Sequence, residues 1–122
     1  MAHSLAGQLV RAEDLIQIQP LIDAYYDLAP NPKDKDQVVS FGTSGHRGVS
    51  TKGTFNDLHV ACIVQAVCDL RHEFGATGPC FVGQDTHALS QVAFQTALEV
   101  LAGNKVLAAV DQEMGFVPTP SI

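Results

Sequence analysis

No apolar run in this sequence approaches the roughly 20 residues needed to cross a bilayer. The stretch MAHSLAGQLVRAEDL lacks the basic start and long apolar core of a secretory signal. These absences predict a soluble, cytoplasmic chain with no membrane partner. A surplus of positive charge is also missing, since 7 Lys and Arg stand against 13 Asp and Glu, a formal net charge of −6. Nonspecific nucleic-acid binding by the whole surface is not expected on that balance, and any anionic ligand needs a local device to hold it. Cysteine is sparse: Cys62, Cys68 and Cys80 form an odd set with no paired metal-ligand spacing. They read as reduced thiols in or near the core, with Cys62 and Cys68 facing different directions on one helix. Internal repeats and low-complexity segments are absent too.

What is present is the material of one ordinary domain: 122 residues, 46% apolar and only 16% charged. Residues 1–36 read as a helical lead-in and loop. Leu21, Tyr25 and Leu28 fall at helical spacing behind Pro20, and APNPKDKDQ closes the segment with two prolines and a cluster of charges. From residue 37 the pattern changes. QVVSF reads as a strand, and Thr54 with Asp57 as a capping box. A helix carrying Leu58, Cys62, Ile63, Val67, Leu70 and Phe74 on one face follows, with Gly75 as its stop. GPCFVGQD reads as a second strand. Ser90 then caps a helix striped by Phe94, Ala97, Leu98 and Leu101 and ended by Gly103, and KVLAAVD is a third strand without polar alternation, as if covered on both faces. Alternating strands and helices predict parallel βαβ units with right-handed crossovers. Three strands are few for such a sheet, and the architecture reads as interrupted.

The chemistry concentrates in FGTSGHRG, residues 41–48. Gly42, Gly45 and Gly48 admit close approach to the main chain, whose N–H groups can form an anion-binding nest. Thr43 and Ser44 add hydroxyls, and Arg47 adds a guanidinium fork that matches phosphate geometry. Sharper motifs fail here. A nucleophile elbow would need glycine where His46 stands, and neither a P-loop nor the G-x-G-x-x-G fingerprint fits any register. The same residues equally suit a structural turn with an exposed arginine. Asp85 and His87, in GQDTHALS, suit either an acid–base pair or a loop leading into the Ser90 cap. His59 and His72 read as surface or boundary residues of their helix.

FGTSGHRG, GPCFVGQDTHALS, ALEVLAGN and GFVPTP stand in the order and spacing of bacterial phosphoglucomutases, and from about Leu5 onward the chain resembles that branch of the α-D-phosphohexomutase superfamily. The resemblance implies an α/β fold: the start of a three-layer α/β/α first domain, with a mostly parallel sheet between helices. It implies interconversion of glucose 1-phosphate and glucose 6-phosphate through glucose 1,6-bisphosphate, with a phosphoserine that gives and retakes the phosphoryl group. Mg²⁺ would be held by that phosphoserine and by aspartates of a further domain, so no metal ligand is expected in this chain. Arg47 would face the transferred phosphate, and Thr43, Ser44, Gly45 and His46 would form the adjoining cleft floor. Asp85 and His87 would support that loop.

The resemblance also places the nucleophilic serine in a T-[AP]-S-H-N-P loop a few tens of residues after VPTP, and that sequence does not occur in these 122 residues. Neither Ser44 nor Ser121 precedes His-Asn-Pro. The expectation is therefore the amino-terminal part of such an enzyme, with residues 37–122 an incomplete first domain. It would be inactive alone, with a sugar phosphate and the remaining domains as partners. The alternative is a small stand-alone module that binds phosphate or a sugar phosphate through residues 43–48.

Overall fold

A computed structural model describes residues 5–122. Helix α1 spans Ile18–Asp27. Pro20 sits in its first turn, where a backbone N–H would have no intrahelical acceptor and its loss costs nothing. Strands β1 (Phe41–Gly42) and β2 (Gly45–His46) follow, then helix α2 (Asp57–Glu73), strand β3 (Cys80–Phe81), helix α3 (Ser90–Gly103) and strand β4 (Ala108–Ala109).

The strands form two separate pairs. β1 and β2 make an antiparallel hairpin, whereas β3 and β4 are parallel, joined through α3. A separate parallel bridge joins Gln84 and Phe116. The βαβ unit foreseen around α3 is present, but a mostly parallel sheet is not. QVVSF does not form a strand. Lys35–Gln37 is a 3-10 turn, Val38 and Val39 are exposed, and the chain pairs only from Phe41, with its own hairpin partner. The segment KVLAAVD is also not covered on both faces: only Ala108 and Ala109 pair, both half-buried, and Leu107 beside them is 73% exposed.

The core gathers where α1, α2 and α3 meet. Tyr25, Val60, Leu89 and Ala97 form its buried centre, with Leu21, Ile22, Phe55, Val64, Val92 and Ala93 packed around them. Tyr25, fully buried, brings its hydroxyl within 2.9 Å of Thr96 Oγ1. α1 is also tied to the following loop by two side chains. Ser50 Oγ donates to the Leu21 carbonyl at 2.8 Å, and Asn56 Nδ2 donates to the Ala24 carbonyl at 2.6 Å.

The apolar stripe of α2 is not the one that is buried. Leu58 and Phe74 are 52% and 78% exposed, and Val67 and Leu70 also face outward. His59, Val60 and Cys68 turn inward instead. Periodicity finds an apolar face but cannot tell which of two adjacent faces meets α3. Cys62 is exposed rather than near the core, while Cys68 is buried and Cys80 half-buried; all are free thiols.

Helix ends show the same contrast. At α2 the Gly75 stop holds: with φ 66 it lets Ala76 N–H reach the Arg71 carbonyl and Gly75 N–H the His72 carbonyl, a Schellman pair. At α3 the helix does end at Gly103, but the chain reverses at Lys105, φ 58, which closes an equivalent pair onto Leu101 and Ala102. A side chain in that left-handed region is unfavourable by about 1 to 2 kcal/mol. Lys105→Gly therefore raises stability by about 1 kcal/mol, read as a higher urea midpoint with an unchanged slope.

Candidate phosphate-binding site

The hairpin turns on Thr43 and Ser44, between the paired residues Gly42 and Gly45. Gly45 has φ 98, a conformation that residues with a Cβ seldom adopt. Ser40, Gly42, Thr43, Ser44, Gly45 and Arg47 line an open recess of about 340 Å³. Arg47 is exposed, and its guanidinium makes no hydrogen bond or ion pair among the described residues. No carboxylate lines the recess, so the one charge on its wall is positive. A guanidinium, two hydroxyls and flexible backbone donors around a solvated hollow are suited to a phosphate dianion.

The way out of the hairpin is tightly built. Val49 N–H donates to Thr54 Oγ1 at 2.8 Å, and Thr54 N–H donates to the Val49 carbonyl at 3.2 Å. Gly48 lies against this stitch, and a Cβ there would run into the Thr54 carbonyl, a backbone atom that cannot swing aside. Gly48→Ala thus forces the loop off Thr54 at a cost of about 1 to 3 kcal/mol. Chemical denaturation measures that loss. Amide exchange would locate the opening at residues 48–54.

The α2 start differs from expectation. Thr54 is used by Val49, and the helix is capped by Asn56, whose backbone N–H donates to His59 Nδ1 at 3.1 Å. An Asn immediately before the acidic first turn in NDLH was the available signal. His59 is 2% exposed, not a surface residue, whereas His72 is exposed as expected. His46 is half-buried, its ring stacked on His59 and Phe55 with centroids 5.0 and 5.9 Å away. Thr43, Ser44, Gly45, His46 and Arg47 are therefore brought together at one end of α2.

Asp85 and His87 form a separate, self-bonded turn. Asp85 Oδ1 accepts the backbone N–H of His87 at 2.9 Å, and His87 Nδ1 accepts that of Leu89 at 3.1 Å. The His87 N–H on its carboxylate, with help from the Ser90 region, holds Asp85 below the ordinary aspartate range. No hydrogen bond joins carboxylate to imidazole among the described residues. Ser90 does not cap α3; it begins the helix, and its Oγ accepts the Asp85 N–H at 3.0 Å. Among the described residues no group of three or more His, Cys, Asp or Glu is placed to hold a metal ion, and no helix is long and apolar enough to cross a membrane.

Residues 38–122 match the family described as phosphoglucomutase/phosphomannomutase, alpha/beta/alpha domain I. The chain is also 49% identical over 117 residues to a phosphoglucomutase of Komagataeibacter xylinus. That match takes in 96% of this chain but only 21% of the relative's length. The hairpin, α2, α3 and the parallel pair all lie within the matched span, and the chain belongs to the phosphoglucomutase/phosphomannomutase family through the first, α/β/α domain of that fold.

Proposed function

We propose that this chain supplies the phosphate-facing loop of a mutase that interconverts glucose 1-phosphate and glucose 6-phosphate through glucose 1,6-bisphosphate. The observation that carries the reading is the recess at residues 40–47, with the unpaired Arg47 guanidinium on its wall. In that reading Arg47 makes a two-donor contact with the phosphoryl group as it passes between a serine and the sugar, where charge is shared among its oxygens. Thr43, Ser44 and the Gly45 N–H complete the cradle. Asp85 and His87 keep the neighbouring turn in shape and transfer no proton.

The nucleophilic serine and the sugar-reading groups would come from segments outside these residues. Among the described residues no donor set is gathered that would suit Mg²⁺, so any such ion would be held by those segments, and no step through a metal is assigned to the residues described. The chain by itself then binds phosphate and turns over nothing. A coupled assay of glucose 6-phosphate formation, with Mg²⁺ and glucose 1,6-bisphosphate supplied, tests this directly. Turnover that scales with the chain and survives repurification would overturn the reading. Binding of glucose 6-phosphate much tighter than inorganic phosphate by the chain alone would favour a stand-alone sugar-phosphate module.

A further inference from the structure

The hairpin has little to hold it. Two residue pairs make up its ladder, and Phe41, Gly42, Thr43, Ser44 and Arg47 are all exposed. A two-stranded hairpin of this length is not stable by its own pairing. Its inward attachment is His46, whose Nδ1 lies 3.2 Å from the Ser40 N and 3.1 Å from the Ser40 carbonyl oxygen. His46 Nε2 is buried without a hydrogen-bond partner. A buried nitrogen left unpaired is unfavourable, and the Nδ1 contacts stay with neighbouring Ser40, so the ring faces are what hold His46 to the start of α2.

The face it meets belongs to His59, at 5.0 Å and an interplanar angle of 22°. His59 itself has no freedom to turn. Its Nδ1 accepts the Asn56 N–H at 3.1 Å, and its Nε2 lies 2.8 Å from the Gln37 carbonyl oxygen. A carbonyl can only accept, so Nε2 carries the proton and Nδ1 is the lone pair: one neutral tautomer, with both nitrogens engaged. The ring thereby grips the chain at two points, at Gln37 before the hairpin and at His46 in its second strand. Arg47 is the next residue.

We propose that His59 is the positioning residue of the phosphate loop, a fixed plate at the start of α2 on which His46 stacks and which sets where Arg47 points. The inference rests on the loop facing phosphate, but it makes a separate claim about how the loop is held. The ring face and the ring nitrogens can be separated by substitution. His59→Gln retains an acceptor for the Asn56 N–H, as glutamine does at this position of a capping box, but has no ring. His59→Phe keeps the ring and removes both hydrogen bonds.

The test uses ¹⁵N-labelled chain, first without ligand and then titrated with inorganic phosphate. His59→Gln is expected to lower the heteronuclear NOE of amides 42–47 and to shift the His46 ring protons, with α2 and α3 amides and the melting temperature little changed. Its phosphate affinity should fall about tenfold, the loss of one charge-assisted hydrogen bond. His59→Phe is expected to melt earlier while keeping an ordered hairpin. Should either variant fail to fold, His46→Ala removes the stack from the loop side and should loosen the same amides. Unchanged hairpin NOEs in His59→Gln, or in His46→Ala, would overturn the positioning role. If the unsubstituted chain takes up no phosphate while His59→Gln still loosens the hairpin, the phosphate reading falls and the positioning role stands.

Discussion

Arg47→Ala, placed in a full-length phosphohexomutase that carries this amino-terminal segment, lowers kcat/KM by about ten- to a hundredfold, with kcat itself reduced. The magnitude follows from a charge-assisted hydrogen bond of about 1.5 to 3 kcal/mol, lost where the transferring phosphoryl group has most need of it. Arg47 has no competing partner among the described residues, so its whole donor capacity is open to the recess. Arg47→Lys recovers only part of the rate, because an ammonium retains the charge and loses the planar fork. His46→Ala costs less than Arg47→Ala, since its ring is turned into the stack and is assigned no proton transfer. Steady-state rates of glucose 6-phosphate formation measure all three. A near-wild-type Arg47→Ala beside an inactive His46→Ala would reverse the assignment and make the imidazole the chemical group.

Tyr25→Ala sharply lowers the urea midpoint of the fold. Tyr25 is 0% exposed and central to the core. Its ring lies edge-on to Tyr26 at 4.9 Å and tilted against Phe55 at 6.3 Å. Replacing a buried aromatic ring with a methyl group costs about 3 to 5 kcal/mol, against a total stability of about 5 to 15 kcal/mol for a domain. Tyr25→Phe is far milder, about 1 kcal/mol, because Thr96 Oγ1 retains Asp57 Oδ1 at 2.8 Å and the Val92 carbonyl at 3.1 Å. Equilibrium unfolding in urea separates the two.

The same hydroxyl gives the fold an alkaline limit. Burial pushes it from 10.0 up to about 12, the Thr96 hydrogen bond opposing the shift only in part. The unfolded chain therefore releases this proton first. Stability is intact below pH 10.0, declines as pH rises towards about 12, and levels off beyond it. The loss is of the order of 3 kcal/mol, and Tyr25→Phe should flatten this part of the pH dependence.

Much of this protein is legible in its residue order because the controlling interactions are local. Gly75 ends α2 because only a left-handed residue closes the Schellman pair, and Phe94, Ala97 and Leu101 mark the buried side of α3 because they repeat with the helical turn. The composition of FGTSGHRG, with its glycines, hydroxyls and one arginine, already limits the loop to a turn or an anion cradle. The resemblance carried by four separated motifs then selects the family, and the match over residues 38–122 bears it out.

Tertiary structure decided what spacing could not. Leu58, Val67, Leu70 and Phe74 form a regular stripe, yet the face of α2 that meets α3 is the adjacent one, because contact depends on where α3 lies and not on the period of α2. Val38 and Val39 have the composition of a strand but find no neighbouring strand to pair with; strand identity is a property of two segments, and one segment alone cannot confer it. His59 shows the difference most plainly. In sequence it is one histidine on a polar helix start, but its role depends on Gln37, 22 residues away, and on the ring of His46. The chain determined which chemical groups it carries near the loop, and the long-range packing of α1, α2 and the hairpin determined that a buried, neutral imidazole would be the surface on which that loop rests.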